Sequence, residues 1–272
     1  MDAAPALTIT WLGHATVEIC LDGVRILTDP ALTPRLAHLR RRAALDQAAV
    51  ERPDLVLISH VHQDHLHLPS LRPFGSEVPL LVPAGAGGFL RRRGFRDVSE
   101  TRAGEVHQVG GLTIETVPAV HPRGRGPHSP VAADPVGYVV RAGEGAGARA
   151  VYFAGDTDLF DEMGSLGGLD VALLPIWGWG PGVGEGHLDP STAARAAELI
   201  RPDLVVPIHW GTFSPVGIRR PHWLETPAHR FRAALGAAGL DAGLRQLSPG
   251  GSIDVLSDRP AAEAIPAGDL PR

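Results

Sequence analysis

The run Leu55-Val56-Leu57-Ile58-Ser59-His60-Val61-His62-Gln63-Asp64-His65 changes abruptly from apolar to ligand-bearing. Its first four residues are continuously apolar and read as a short strand buried on both faces, the habit of strands inside an α/β sheet. The residues that follow put three imidazoles and a carboxylate within six positions at that strand's C-terminal end, where such sheets place their sites. In extended backbone His60 and His62 point to the same side and reach one ion, while a turn after them brings Asp64 and His65 to a second. One histidine in such a place is commonly exposed or satisfied in a core. Three around an aspartate are a metal-binding pattern.

Three later positions repeat the arrangement of a strand followed by a ligand. His121 follows Thr116-Val117-Pro118-Ala119-Val120, Asp156 stands in Ala154-Gly155-Asp156-Thr157, and His209 follows Val205-Val206-Pro207-Ile208. Each alone reads as a loop or capping residue. Together with the first cluster they complete five histidines and two aspartates, a set suited to two metal ions sharing a bridging carboxylate.

Around these positions the chain alternates strands and helices. Leu7, Ile9 and Trp11 share one face of a strand, Val17, Ile19 and Leu21 one face of the next, and Val24 to Thr28 a third after the turn at Asp22-Gly23. Further strands are expected at Leu112 to Val117, Val136 to Val140, Ala150 to Ala154, Val171 to Leu174 and Leu204 to Ile208. Asp189 before Pro190 caps a helix that runs to Ile200 and stops before Pro202, and a second helix follows Pro227 and ends at Gly239. Leu32 to Arg52 lacks strand alternation and reads as a helix or long loop with a basic, solvated face formed by Arg35, Arg40, Arg41 and Arg42. The class is α/β or mixed α+β, a single domain over residues 1–256 with a frayed tail over 257–272.

Composition narrows the functions. The chain has 272 residues, 44% of them hydrophobic and 20% charged, with a net charge of -5, as in an ordinary globular protein. All 25 basic residues are arginine, which excludes a lysine Schiff base or a P-loop lysine. The slight acidic excess gives no field that would draw nucleic acid. No stretch is long and apolar enough for a membrane span, and the N-terminus lacks the pattern of a signal peptide, so the expected place is the cytoplasm. Cys20 is the one cysteine, read as a buried thiol in a strand, which leaves the 13 histidines as the metal-binding chemistry.

The His-x-His-x-Asp-His run, with His, Asp and His at later strand ends, resembles the metallo-β-lactamase-fold hydrolases in the same order over residues 7–256. Trp11-Leu12-Gly13-His14-Ala15-Thr16, Leu27-Thr28-Asp29-Pro30, Phe153-Ala154-Gly155-Asp156-Thr157 and His209-Trp210-Gly211-Thr212-Phe213 look like one branch of them. That branch holds the L-ascorbate-6-phosphate lactonase-like and N-acyl-phosphatidylethanolamine phospholipase D-like proteins. The resemblance implies a four-layer αβ/βα sandwich with the site at one edge of its two sheets. It implies His60, His62 and His121 on one metal, Asp64, His65 and His209 on the other, and Asp156 between them. Two ions about 3.5–4 Å apart would depress the pKa of a bridging water and accept charge on a phosphoryl or carbonyl oxygen. Zinc is expected first, with manganese or iron as alternatives. Asp64 would also orient the hydroxide, which gives it a catalytic role.

Asp29 is expected behind a ligand histidine, fixing its tautomer, and His14 at the pocket wall or in the core. His187, in Gly184-Glu185-Gly186-His187-Leu188-Asp189-Pro190, is the candidate to contact or protonate a leaving group. Arg123 and Arg125 after His121, and Arg219, Arg220 and His222 after the His209 motif, are candidate clamps for a phosphate or carboxylate, or scattered surface charge. Trp177 and Trp179 are candidates for an apolar wall, or core packing. His38, His67, His107, His128 and His229 fit no ligand pattern. Gln63 replaces an aromatic usual in the branch and Pro122 a tryptophan of the phospholipase D-like group, so lipid or sugar specificity does not carry over.

The expectation is a dinuclear metal-dependent hydrolase acting on a small anionic substrate, a phosphodiester before a lactone or other carboxyl ester. Neither nucleic acid nor membrane insertion is expected. The alternative from another class is a non-catalytic metal-binding or ligand-sensing protein.

Overall fold

A computed structural model describes residues 4–258 apart from 46, 127, 128, 179, 181 and 219–221, with the side chains of 48, 146 and 222 also outside the description. In chain order the first half holds β1 (Leu7–Gly13), β2 (Thr16–Leu21), β3 (Val24–Thr28), β4 (Arg35–Leu36), β5 (Leu39–Arg41), β6 (Leu55–Leu57), α1 (Leu68–Leu71), β7 (Leu80–Pro83), α2 (Gly87–Arg91) and β8 (Val98–Thr101). The second half holds β9 (Val106–Val109), β10 (Leu112–Pro118), β11 (Val136–Ala142), β12 (Arg149–Phe153), β13 (Val171–Pro175), α3 (Pro190–Ile200), β14 (Leu204–Ile208), β15 (Phe213–Pro215), α4 (Thr226–Ala237) and β16 (Gly251–Asp254).

These strands form two large mixed sheets, β16-β1-β2-β3-β6-β7-β8 and β14-β13-β12-β11-β10-β9. Each is antiparallel at one end and parallel at the other: β3, β6, β7 and β8 run parallel in the first, β12, β13 and β14 in the second. Alternation in β1 and β2 buries Ile9, Trp11, Val17 and Ile19 in a core shared with Ile114, Tyr138, Phe153 and Leu173 of the other sheet. That core continues to Ala193, Ala197 and Phe231 of α3 and α4, and a separate apolar cluster joins Val56 and Leu80 to Leu71 and Phe89 of α1 and α2. Helices therefore cover the outside of each sheet, and the architecture is an αβ/βα sandwich.

The local signals that placed α3 are all in use. Asp189 accepts hydrogen bonds from the Ser191 and Thr192 amides, Pro190 opens the helix, and Arg201 closes it in left-handed backbone at φ 51° before Pro202. The second helix starts at Thr226, one residue ahead of Pro227, and the lone Cys20 is half-buried in β2.

Leu32 to Arg52 departs from its reading as a helix or loop. It contains the hairpin β4–β5, which pairs with β15 in a third, three-stranded sheet, and a short 3-10 turn at Gln47–Ala49. Its basic face is not uniformly solvated, because Arg41 is buried. That guanidinium donates to the carbonyls of Leu12 (3.1 Å) and Ala31 and lies over the Phe213 ring, and burial lowers its pKa to about 10. The pairing partner lies some 170 residues downstream in sequence, so no local pattern announces the hairpin.

Candidate metal centre

The ligand-bearing loop starts from backbone held by both sheets. The Ile58 amide donates to the Leu81 carbonyl (3.0 Å), the Tyr138 hydroxyl donates to the Ile58 carbonyl (2.8 Å), and the Val136 amide donates to the Ser59 carbonyl (2.9 Å). The chain then turns, with the Leu66 amide donating to the His62 carbonyl (2.9 Å), and this curls Asp64 and His65 back toward His60. His121 follows β10, Asp156 follows β12 and His209 follows β14, so the second sheet supplies the facing half.

Ligand-type atoms gather in overlapping groups within 4.8 Å: His60, His62 and His121 in one, and His14, Asp64, His65 and His209 in another. In the first, the Nε2 atoms of His60 and His121 lie 3.0 and 2.9 Å from His62 Nδ1. In the second, His65 Nε2 lies 3.1 Å from His209 Nε2. Asp156 Oδ2 stands between them, 3.1 Å from His65 Nε2, 3.3 Å from His209 Nε2 and 3.9 Å from His60 Nε2.

The surrounding hydrogen bonds aim the lone pairs. Asp29, wholly buried, accepts from the Ser59 amide (2.7 Å), the Ser59 hydroxyl and His65 Nδ1 (2.7 Å). With its proton given to Asp29, the Ser59 oxygen accepts from His60 Nδ1 (2.9 Å). The Nδ1 atoms of His121 and His209 donate to the carbonyls of Gly186 (2.7 Å) and Trp177 (2.6 Å). The Nε2 lone pairs of His60 and His121 therefore point into one donor group and that of His209 into the other, and lone pairs gathered this closely repel unless a cation stands among them. Asp156 Oδ1 is buried and has no hydrogen-bond partner among the described residues. Converging imidazole nitrogens around an orphaned carboxylate oxygen fit divalent metal ions well.

Electrostatics agree. Burial alone would raise the carboxyls of Asp64 and Asp156, yet the neighbouring histidines hold both well below the usual range: His65 and His14 act on Asp64, and His209, His65 and His187 on Asp156. Burial lowers His60 strongly, His62 to a lesser degree, His121 to about 4 and His209 to about 3, keeping these rings neutral and ready to ligate. Burial also opposes a proton on His65, but Asp156, Asp64 and Asp29 outweigh it and hold that pKa well above its ordinary value. A proton there stands where a metal ion would, and metal binding would displace it.

Close approach at two glycines lets the halves meet. A Cβ on Gly155, whose φ is +62°, would lie 2.3 Å from Ser59 Cβ, and one on Gly186, at φ +75°, would lie 2.8 Å from Pro122 Cδ. His14, Asp29 and His209 also take left-handed backbone, at φ 54°, 32° and 61°, a concentration of strain that marks the site.

The other predicted residues fall in different places. His14 is buried behind the site, not in the pocket wall; its Nε2 lies 3.1 Å from Asp64 Oδ2 and its ring packs on His209. His187 Nδ1 donates to the carbonyls of Glu185 (3.1 Å) and Gly184 (3.2 Å), and its Nε2 lies 3.5 Å from Asp156 Oδ2. Burial lowers the His187 pKa, but the hydrogen bond and charge of Asp156 more than reverse this.

A cavity of about 620 Å³ opens over the metal centre, with His62, Asp64, Asp156, His187 and His209 in its lining. Arg125 lines it too, but its Nη1 is committed to the carbonyls of Val61 (2.8 Å) and Leu66 (3.0 Å), so the residue buttresses the ligand loop. Arg123 is exposed, pairs with Asp134 (2.7 Å) and does not reach the cavity. Trp177 contributes its carbonyl to His209 and ties its indole to the Gly180 carbonyl, while the cavity wall is formed by Gly178 and Gly180. Trp179, Arg219, Arg220 and the His222 side chain lie outside the described residues. Sequence reasoning missed Ser59, although it directly precedes the first ligand, and left unassigned His38 and His67, which line the cavity. The carbonyls of Trp177 and Gly186 bear no side-chain signature at all.

Comparison with known proteins gives a consistent set. Residues 24–210 match a family described as Beta-lactamase superfamily domain. The chain is 35% identical over 261 residues to a UPF0173 metal-dependent hydrolase of Methanopyrus kandleri, covering 91% of this chain and 100% of that one. A UPF0173 metal-dependent hydrolase of Nitratidesulfovibrio vulgaris is 34% identical over 254 residues, covering 90% and 94%. Among solved structures, Igni18, a metallo hydrolase from the archaeon Ignicoccus hospitalis, superposes with a TM-score of 0.70 at 28% identity, covering 91% of this chain and 97% of that one.

Proposed function

Since the chain belongs to the Beta-lactamase superfamily domain family and is a metal-dependent hydrolase of the metallo-β-lactamase superfamily, we propose that it works with two metal ions on a small anionic substrate, a phosphodiester first. The observation that carries this reading is the pair of donor groups sharing Asp156, whose Oδ2 faces both while Oδ1 has no partner among the described residues. Divalent ions held there would supply a nucleophile from water at neutral pH and accept negative charge developing on a phosphoryl or carbonyl oxygen. The imidazole-rich donor set favours zinc, with manganese or iron as alternatives.

The chain's own residues divide the remaining work. Asp29 holds His65 directly and His60 through Ser59, and the carbonyls of Gly186 and Trp177 hold His121 and His209. His14 keeps Asp64 turned inward, where its carboxylate also orients the attacking oxygen. His187, with Nδ1–H anchored on two carbonyls and Nε2 toward Asp156, is placed to hand a proton to the departing oxygen.

One observation favours the second reading, a lactone or other carboxyl ester. Leu36, Leu39 and Val183 make part of the cavity wall apolar, and Arg125 has already given one nitrogen to the main chain. Hydrolysis of a chromogenic phosphodiester by zinc-loaded and manganese-loaded protein, with Asp156→Ala as the blank, tests the proposal. Metal-dependent turnover absent from the blank is the expected result. Metal-replete protein inert on phosphodiesters but active on lactones would move the assignment to the second reading, and full turnover by Asp156→Ala would overturn the shared-carboxylate site.

A further inference from the structure

We propose that Arg125 and His67 form a subsite for a second anionic group of the substrate, a carboxylate or phosphate set apart from the scissile bond; this rests on the metal-dependent hydrolase reading above. Both side chains line the same cavity as the ligands His62, Asp64 and His209. Arg125 is rigid. Its Nη1 donates to the Val61 and Leu66 carbonyls, and its guanidinium stacks on the Phe89 ring with 4.7 Å to the centroid. Among the described residues no carboxylate pairs with it, and its Nε and Nη2 donate to no protein acceptor. Asp64 acts on this half-buried guanidinium only from beyond ion-pair distance, and an anion entering the cavity would give it a direct partner.

His67 adds a neutral donor. The Leu32 amide donates to Ser70 Oγ (2.7 Å), which leaves the Ser70 hydroxyl proton free to go to His67 Nδ1 at 2.8 Å. The imidazole proton then sits on Nε2, and the ring keeps one N–H for a ligand. The scissile group is held at the metal centre, so the anion met by Arg125 and His67 belongs to another part of the substrate. The apolar residues Leu36 and Leu39 of the hairpin suit the carbon chain between the two charges.

The test is calorimetric titration of metal-loaded protein with butyrate and with a series of straight-chain dicarboxylates (succinate, glutarate, adipate), repeated on His67→Phe, His67→Gln and Arg125→Met with metal content measured throughout. At least one dicarboxylate should bind about tenfold or more tightly than butyrate, the gain from one charge-assisted hydrogen-bonded contact. His67→Phe should remove that advantage without changing butyrate affinity, Arg125→Met should remove it as well, and His67→Gln, which keeps a donor, should retain most of it. If Arg125→Met loses metal through its buttressing bonds, the two His67 variants decide. Equal affinity for butyrate and the best dicarboxylate, or an advantage that survives in His67→Phe, overturns the subsite. Metal-replete protein that binds none of these acids yet hydrolyses a phosphodiester or a lactone overturns the subsite alone; with no turnover of either ester class, the hydrolase reading falls with it.

Discussion

Ser59 is the residue through which one carboxylate reaches both donor groups, since Asp29 touches His65 itself and touches His60 only by way of that hydroxyl. Removing such a support typically costs about 10–100-fold in metal affinity. Ser59→Ala should therefore weaken one metal equivalent by that factor and spare the other, Ser59→Thr should restore it, and Asp29→Asn should weaken both. Competition with a chromophoric chelator reads this directly, and equal weakening of both equivalents in Ser59→Ala would remove the relay. At His187 the outcome is opposite in kind: His187→Ala should keep its metal and lose turnover, about 10²–10⁴-fold if the ring is the proton donor. Unchanged kinetics would leave that ring a loop anchor. The candidate ligands were legible in the sequence because metal binding demands particular side chains at strand ends, and the fold gathers them into one place. Their supports were not, because a serine and two main-chain carbonyls look alike wherever they occur.

At the scale of elements, Gly155 and Gly186 set how closely the loops after β12 and before α3 approach the histidines. Gly155→Ala must combine left-handed backbone with a Cβ 2.3 Å from Ser59 Cβ, so the expected loss is about 2 kcal/mol or more, beyond the roughly 1 kcal/mol of backbone cost. Urea unfolding of metal-free wild type and variant measures it, and a change below about 0.5 kcal/mol would show that Ser59 moves aside freely. Helix α3 and the interior strands were readable beforehand because capping, proline placement and apolar runs are local signals. Hairpin β4–β5 was not: its strands are two and three residues long, its turn uses Ala37 at φ 48° in place of glycine or asparagine, and its partner β15 is remote. Strands β7 and β8 escaped notice for a similar reason, being four residues each with little alternation.

For the whole molecule, pH and metal act on the same groups. In metal-free protein burial lowers the pKa values of His60, His62, His67, His121 and His209, so the unfolded chain takes up protons near pH 6.5 that the folded chain refuses until lower pH, about 4 for His67 and His121 and about 3 for His209. Their contribution to stability is full above about pH 6.5 and is lost as pH falls. His65 and His187 act in the other sense: their raised values contribute below the unfolded pKa, and this contribution fades as pH rises through the folded ones. Five groups outnumber two on the acid side, so the Tm of chelator-treated protein should fall steadily from pH 6.5 to 4.5, and a flat profile would contradict the burial of neutral rings. Metal should raise Tm most near neutrality, with the gain shrinking in acid as protons compete for the ligands. The ligand loop after β6 belongs to one sheet, and His121, Asp156 and His209 belong to the other. Metal held there would rivet two plates together: its removal should let the sandwich part first along that edge, and amide exchange at Ser59, Val136 and Ala154 should quicken while the far ends of the strands stay closed.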